Sequence, residues 1–201
     1  MRAQLTEPVA GPAGDLAGYA ARMRAELGAL TGTVLEIGAG TGANFGYFRP
    51  GIRWLGLEPH PGRRRQLAWT AARYGQYAPV IAAPAERVPL PDASVDAVAA
   101  TLVLCSVADQ GRALAEVRRV LRPGGRFVFF DHVAAPAGTW SRRAQRCWAP
   151  LSRLLDAGCD PGRDTWRAIE AAGFREVSAR RHSRRPGFGS YSPLLAGVAY
   201  R

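Results

Sequence analysis

The sequence predicts an α/β protein with a mostly parallel sheet and helices on both faces. From Thr33 to Val133, short apolar runs alternate with longer amphipathic stretches, and near-continuous apolar runs are typical of parallel strands buried on both sides. The first run, TVLEIG, passes directly into a glycine-rich segment, GAGTG. The last two segments, FREVSARRHS and SYSPLLAGVAY, alternate apolar and polar residues, which predicts an antiparallel pair that closes the sheet.

The elements follow one another in a regular order. We expect residues 1–13 to be a flexible lead-in, followed by a helix from Asp15 to about Leu30 with apolar residues at helical spacing. The predicted strands are TVLEIG, RWLGLE, APVIAA, SVDAVAATLVL and GRFVFFDHV. Between them lie predicted helices at Pro61–Tyr74 and Gln110–Leu121, and the second helix ends at the turn RPGG.

The pattern changes after the fifth predicted strand. A helix is predicted over Ala137–Asp156, and a second one, Arg163–Ala172, ends at Gly173, a residue favoured just past a helix terminus. The 201 residues suffice for one well-filled core and are too few for two ordinary domains. We therefore expect a single domain over residues 1–201.

The charge is strongly positive and carried by arginine alone. The net charge is +11, and the chain contains no lysine. A basic surface can attract nucleic acid, anionic lipid or acidic small molecules. Because the arginine clusters are scattered along the chain, solvated helix faces are the favoured interpretation.

Cysteine usage and hydropathy exclude several protein classes. The three cysteines, Cys105, Cys147 and Cys159, form no CxxC pair, so neither a disulfide framework nor a metal site is expected. No apolar run is long enough to span a bilayer, and the first residues lack the apolar core of a secretory signal. We expect a cytoplasmic protein without a membrane span, and its oligomeric state stays open.

The glycine-rich segment predicts a ligand site at the end of the first strand. In open α/β sheets, ligands bind beyond the carboxyl ends of the strands. The spacing G-x-G-x-G differs from the dinucleotide pattern G-x-G-x-x-G, and there is no P-loop lysine. Glu36 would repel phosphate but suits an ammonium or sulfonium group, and Glu58 ends the second strand where a carboxylate can accept from ribose hydroxyls. A phosphate-free nucleoside with a cationic tail, such as S-adenosylmethionine, fits both.

Four segments in order carry a family resemblance from Thr33 to about Val133. They are EIGAGTG, LGLEP, APAERVPLPDASVDAV and EVRRVLRPGGRFVFFD. With them the chain resembles the class I S-adenosylmethionine-dependent methyltransferases of the Methyltransf_11 type. The resemblance implies a Rossmann-like, seven-stranded, mostly parallel sheet with an antiparallel carboxyl-terminal strand.

The resemblance also implies the roles of the cofactor residues. The glycine loop would line the methionine and ribose, Glu36 would hold the loop and the amino end, and Glu58 would bind the ribose hydroxyls. Many relatives place an aspartate where this chain has Pro84, so Glu86 or main-chain carbonyls are left to recognise the adenine amine. The predicted cofactor set is Glu36, Gly38, Ala39, Gly40, Gly42, Asn44, Glu58, Pro59, Ala85, Glu86, Thr101 and Leu102.

A narrower resemblance extends into the carboxyl-terminal region. Five segments are similar to the microsomal alkyl-thiol S-methyltransferases, the methyltransferase-like seven group: GTGANF, TLVLCSV, EVRRVLRPGG, HVAA and GCDPGRDTWRAIEAAGF. This implies a small apolar thiol as the acceptor. Those relatives begin with a hydrophobic membrane anchor, which we do not expect here. The chain then divides into a lead-in and lid helix at 1–30, a cofactor half at 31–133 and an acceptor region at 134–201.

The catalytic candidates follow the fifth predicted strand. His132 could be the general base for the incoming thiol, or a hydrogen-bonded histidine that orders its loop. Asp131 could orient that imidazole or cap the following segment. A thiol has a pKa of about 8.5, so little acid–base machinery is needed near neutral pH.

The acceptor pocket is predicted to be apolar, as pockets and cores both are. Cys105 could relay the methyl group, although a buried cysteine usually packs as a small apolar residue. Tyr19 could close over the cofactor as part of a lid or face the core. The predicted pocket set is Tyr19, Cys105, Trp140, Trp148, Cys159 and Trp166.

Two other functions stay open at this stage, and a third is disfavoured. The chain could methylate oxygen, nitrogen or carbon of another small molecule, or bind the cofactor as a non-catalytic partner of another enzyme. Nucleic-acid methylation is not expected, because the fourth strand ends in TLVLCSV, which offers no group to accept from a base amine.

Overall fold

The computed structural model describes residues 2–6, 16–155, 158–182 and 193–201. Over these residues strands and helices alternate along most of the chain. The elements are β1 (Arg2–Thr6), α1 (Leu16–Gly28), β2 (Thr33–Ile37), β3 (Arg53–Leu57), α2 (Pro61–Arg73), β4 (Val95–Thr101), α3 (Gln110–Val120), β5 (Leu121–His132), α4 (Trp140–Leu155), α5 (Thr165–Ala171), β6 (Glu176–His182) and β7 (Leu194–Tyr200).

The strands form one seven-stranded sheet in the order β1-β6-β7-β5-β4-β2-β3. β2 pairs in parallel with β3 and β4, and β4 pairs in parallel with β5. β7 runs antiparallel to both of its neighbours, β5 and β6. The α/β fold and its antiparallel carboxyl-terminal strand are thus as predicted.

Both faces of the sheet are buried, which explains why the strands are apolar at nearly every position. Along β5, Phe127 and Phe129 enter one core cluster, which also holds Leu114 of α3 and Ile169 of α5. Val128 and Phe130 enter a second cluster on the other face, with residues of α1 and α2. No helix among the described residues combines the length and the apolar content that a bilayer crossing requires.

Two expectations about the sheet were wrong. Residues 2–6, predicted as a flexible lead-in, form β1, which pairs in parallel with the edge of β6 from Arg2–Glu176 to Thr6–Arg180. Main-chain pairing on an open edge needs little apolar content, so this strand gives only a weak hydrophobic signal. Residues 7–13 of the predicted lead-in and Asp15 of the predicted helix lie outside the described residues.

The predicted strand APVIAA is reduced to a single bridge. Ile81 pairs with Leu57 in a parallel bridge, in which the N–H of Ile81 donates to the carbonyl of Gly56 at 2.8 Å and the N–H of Glu58 donates to the carbonyl of Ile81 at 3.0 Å. Pro79 and Pro84 flank this bridge, and a proline offers no N–H to a strand ladder. Strand pairing therefore stops within a few residues, and the chain after Ile81 continues as a loop.

The turn at RPGG lies inside β5 as a break in register. Leu121 pairs with Val95, and the next pair along the strands is Arg126 with Ala97. Gly124 has a φ of +77°, a left-handed conformation that favours glycine. The break aligns the second part of β5 with β4, so that both strands end at the same sheet edge.

Candidate functional site

The glycine loop forms the floor of the site at the end of β2. Gly38, Gly40 and Gly42 have φ values of +58°, +58° and +93°. A Cβ at Gly38 would lie 2.6 Å from a methyl carbon of Val103, so a side chain there is excluded sterically. A Cβ at Gly40 would meet no atom within 4 Å, which shows that this part of the loop faces open space. The loop therefore presents bare main chain toward a ligand.

Glu58 fixes the loop to the end of β3. One carboxylate oxygen accepts from the main-chain N–H of Gly40 at 2.9 Å, and the other accepts from that of His60 at 2.8 Å. The residue is buried yet lines the cleft beside the loop. A carboxylate has about four lone-pair sites, so each oxygen can accept a further bond from a ligand hydroxyl.

Glu36 lies behind the loop. Its two oxygens accept from Nδ2 of Asn44 at 2.7 Å and from the indole N–H of Trp54 at 2.8 Å. Burial raises the pKa of Glu36 to about 7, against the opposing effect of these two bonds. Asn44 also donates to Thr101 Oγ1 at 3.0 Å. Glu36 and Asn44 thus hold the loop to β4 from beneath.

A cleft of about 370 Å³ lies in front of the loop. It brings together nine of the predicted site residues, namely Gly38, Glu58, Pro59, Ala85, Glu86, Leu102, Cys105, His132 and Cys159. The predicted cofactor residues Glu36, Ala39, Gly40, Gly42, Asn44 and Thr101 do not line it. The sequence analysis did not predict that Arg63 lines the cleft, because this residue lies in an arginine run interpreted as a helix surface. It also did not predict the contributions of Val103 and of Ser106–Ala108. The cleft is lined by Gly38, Glu58, Pro59, Arg63, Pro84, Ala85, Glu86, Leu102, Val103, Cys105, Ser106, Val107, Ala108, His132 and Cys159.

Glu86 closes one side of this cleft. One of its carboxylate oxygens accepts from the main-chain N–H groups of Ala108 at 2.6 Å and Asp109 at 3.1 Å. These bonds join the segment that contains Pro84 and Ala85 to the start of α3. Glu86 therefore stabilises the contact between these two segments, in addition to any contact with a ligand.

Leu102, at the end of β4, has a left-handed backbone. Its φ is +56°, and its N–H donates to the carbonyl of Phe130 at 2.7 Å. A left-handed conformation costs a non-glycine residue roughly 1–2 kcal/mol. Such strain concentrates at functional sites, and here it accompanies a half-exposed apolar side chain that lines the cleft.

Asp131 shapes the loop that follows β4. It is fully buried and accepts from the main-chain N–H groups of Val103 at 2.9 Å, Leu104 at 2.6 Å and Cys105 at 3.1 Å. Its Oδ1 also accepts from the N–H of His132 at 2.8 Å. Burial raises the pKa of Asp131, and hydrogen bonds and the neighbouring His132 oppose this rise. Three of these four bonds go to the loop after β4, whereas the cap expected for Asp131 concerned the segment that follows it.

Three side chains that line the cleft meet one another. Nδ1 of His132 lies 3.7 Å from Sγ of Cys105 and 3.4 Å from Sγ of Cys159, and the two sulfurs are 3.4 Å apart. Both cysteines are buried, and His132 is half-buried. The hydrogen bond with Cys159, together with burial and the charge of Asp131, raises the pKa of the Cys105 thiol. We call Cys105, His132 and Cys159 the Cys-His-Cys triangle.

The predicted aromatic pocket residues lie elsewhere. Tyr19 packs edge-on against Phe130 and His182, with ring centroids 5.7 and 5.5 Å away. Its hydroxyl is buried without a hydrogen-bond partner among the described residues, and burial raises its pKa. Trp166 packs against the core cluster beneath α5. None of these side chains lines the cleft.

Helix α4 directs its apolar side outward. Trp140 is 74% exposed and Trp148 43% exposed, and neither lines the cleft. The inward residues are Gln145, Ala149 and Ser152. Gln145 explains this orientation, because its amide accepts from Ala135 N at 2.8 Å and donates to the carbonyls of Val133 and Pro161 at 3.2 and 3.0 Å.

Comparisons with known proteins agree with this architecture. A family model described as a methyltransferase domain matches residues 35–129. Human thiol S-methyltransferase TMT1B is 43% identical over 151 residues, which are 74% of this chain and 62% of that protein. Human thiol S-methyltransferase TMT1A is 43% identical over 148 residues, 72% of this chain and 61% of that protein. The chain thus spans about three fifths of the length of these curated relatives.

A solved structure shows the same fold at low sequence identity. The YcgJ protein of Bacillus subtilis superposes with a TM-score of 0.65 at 19% identity, covering 92% of this chain and 96% of that one. At such identity the likeness concerns the arrangement of strands and helices alone.

Proposed function

This chain belongs to the class I S-adenosylmethionine-dependent methyltransferases, close to the thiol S-methyltransferases, and we propose that it methylates the sulfur of a small apolar thiol. One observation carries the proposal. The 43% identity to human TMT1B extends over 151 residues, well beyond the segment matched by the methyltransferase-domain model. The likeness therefore includes part of the region where methyltransferases form their acceptor pockets.

The cleft has groups suited to the cofactor. The open side of Gly40 can accept a ligand against the main chain, and the free lone pairs of Glu58 can accept from two ribose hydroxyls. Ala85 and Glu86 line the wall where the adenine would lie, and Leu102 lines the floor. When bound, S-adenosylmethionine supplies a methyl group activated by a sulfonium. We assign residues 31–133 to holding it and residues 134–201 to the acceptor.

The protein contributes mainly position and an apolar surrounding. Methyl transfer from sulfonium to thiolate is an in-line displacement, and correct alignment of the reactants supplies much of the rate enhancement. The reaction neutralises two charges, so water exclusion by Leu102, Val103 and Val107 favours it. Asp131 positions the loop that carries these residues.

The acceptor thiol has to lose its proton at the Cys-His-Cys triangle. All three residues of this triangle line the same cleft as Glu58 and Pro59. We assign the proton-handling role to His132, whose half-buried ring lies on the cleft wall. Asp131 holds His132 in position by accepting a hydrogen bond from its main-chain N–H.

The test is an acceptor panel with the purified full chain. Labelled S-adenosylmethionine is incubated with alkyl thiols, phenols, amines and polyprenyl quinols, and products are identified by mass. We expect labelled thioethers from the apolar thiols. Exclusive methylation of oxygen, nitrogen or carbon would refute the proposal and favour another small-molecule methyltransferase. Cofactor binding without turnover of any acceptor would favour a non-catalytic partner.

A further inference from the structure

The Cys-His-Cys triangle has the dimensions of a zinc site. Zinc bonds of about 2.3 Å to sulfur and 2.0–2.1 Å to nitrogen, in tetrahedral geometry, place two sulfurs about 3.8 Å apart and sulfur and nitrogen about 3.6 Å apart. The observed separations are 3.4 Å between the sulfurs, and 3.4 and 3.7 Å from the sulfurs to Nδ1 of His132. Each edge is therefore within about 0.4 Å of the ideal value.

We propose that Cys105, Cys159 and Nδ1 of His132 bind one Zn²⁺ ion, whose fourth position receives the sulfur of the acceptor thiol. This inference rests on the proposed thiol methylation for its catalytic part, whereas the metal site itself does not. It replaces the expectation of a metal-free site. With zinc bound, Nδ1 of His132 is a ligand and not a base, so the metal, and not His132, promotes loss of the thiol proton.

The chemistry and position of the three ligands support a catalytic type of site. Structural zinc sites have four protein ligands, whereas catalytic sites have three and keep one position open. All three side chains line the same cleft as Gly38 and Glu58, so the open position can be reached from the cofactor side. A disulfide between the cysteines would need no histidine, yet Nδ1 lies about equally close to both sulfurs.

The surrounding main chain holds the ligands in place. Asp131 accepts from the N–H groups of both Cys105 and His132. The N–H of Asp160 donates to the carbonyl of Cys105 at 2.9 Å, which ties the loops of the two cysteines together. Such outer contacts orient metal ligands and commonly decide affinity. The main-chain contacts therefore hold the three side chains of the triangle close together without a bound metal ion.

The proposed step is balanced in charge and atoms. When Zn²⁺ binds, both cysteines release protons to solvent, and two thiolates with a neutral imidazole make an uncharged complex. The acceptor thiol then binds as a thiolate and releases its proton to solvent. A lone pair of this sulfur forms the bond to the methyl carbon. The bond from methyl to the sulfonium breaks, and its electron pair stays on S-adenosylhomocysteine. Zinc is neither oxidised nor reduced, and the neutral thioether, a weak ligand, leaves.

The first experiment measures metal binding without any turnover. The full chain is reduced, treated with a chelator, dialysed and titrated with Zn²⁺ against a chromophoric chelator. We expect one Zn²⁺ per chain. Cys105→Ser and Cys159→Ser should each weaken binding by more than the roughly 100-fold that loss of an outer contact can cost. Cys147→Ser is the matched control, since Cys147 is exposed and outside the triangle, and should bind as the wild type does.

The second experiment uses Co²⁺ as a spectroscopic substitute. The wild type should show a thiolate-to-cobalt charge-transfer band that both serine variants weaken. Addition of an alkyl thiol should shift the visible bands of tetrahedral Co²⁺, because a new sulfur enters the fourth position. Binding of S-adenosylhomocysteine, measured by calorimetry, checks that each variant is folded.

The outcomes separate this inference from the proposed function. Equal zinc affinity in wild type and Cys105→Ser, or no stoichiometric zinc in the reduced wild type, would overturn the site. Full thiol methylation by chelator-treated protein would overturn its catalytic role and leave the proposed function standing. Zinc bound through all three ligands, with no thiol methylated, would overturn the proposed function and support the metal site alone.

Discussion

Replacement of Glu58 by alanine tests the cofactor site directly. The carboxylate already accepts from Gly40 N and His60 N, and we assign its remaining lone pairs to two ribose hydroxyls. A hydrogen bond to a charged group contributes roughly 1.5–3 kcal/mol, so loss of two such bonds should cost at least about 3 kcal/mol. Because each 1.4 kcal/mol is a factor of ten, the Kd for S-adenosylhomocysteine should rise by about 100-fold or more.

Isothermal titration calorimetry measures this effect. Glu176→Ala is a suitable control, because Glu176 is exposed on β6 and does not line the cleft. A thermal melt of each variant, in the absence of ligand, separates the loss of loop anchoring at Gly40 from lost ligand contacts. An affinity of Glu58→Ala within twofold of the wild type would remove Glu58 from the ribose and refute the reasoning.

Three further changes probe the site. The buried Glu36 has a pKa of about 7 in the folded state, above its unfolded value, so the folded state binds more protons and the free energy of unfolding should fall by up to roughly 3 kcal/mol as pH rises from about 4.5 to 7. In Glu36→Gln, compared with the wild type by urea unfolding at several pH values, this pH dependence should disappear. An unchanged pH dependence would contradict the burial effect. Leu102→Gly should raise the free energy of unfolding by about 1 kcal/mol by relieving the left-handed strain, while slowing methyl transfer; a variant both less stable and fully active would count against functional strain. Trp140→Ser should leave the KM for the thiol within about twofold of the wild-type value, because the Trp140 side chain is 74% exposed and does not line the cleft. A tenfold rise in KM would show that Trp140 belongs to the acceptor pocket.

The geometry of the glycine loop could be predicted because its signals are local in sequence. The conformational demands at Gly38, Gly40 and Gly42 select glycine and so leave a motif. Glu58 lies at a strand end, where main-chain direction alone places it beside the loop. The parallel direction of the central strands also followed from the sequence, because apolar runs alternate with amphipathic stretches.

The Cys-His-Cys triangle and the orientation of α4 could not be predicted in this way, because both depend on tertiary contacts. Cys105, His132 and Cys159 follow one another at intervals of 27 residues, and only the folding of β4, β5 and the loop after α4 brings them together. No short metal-binding motif marks such a group. The helical period of α4 was visible, but which side faces inward is decided by the bonds of Gln145, not by hydrophobicity.

Gln145 has a consequence for how the acceptor region can diversify. The side-chain amide of Gln145 bonds α4 to the main chain just after β5 and to the segment before α5. The exposed tryptophans and leucines of α4 are therefore not needed to hold the helix in place. Substitutions on the exposed side of α4 can accumulate without changing the packing around the cleft. Homologous chains could thus acquire quite different exteriors on α4 while carrying out identical chemistry inside.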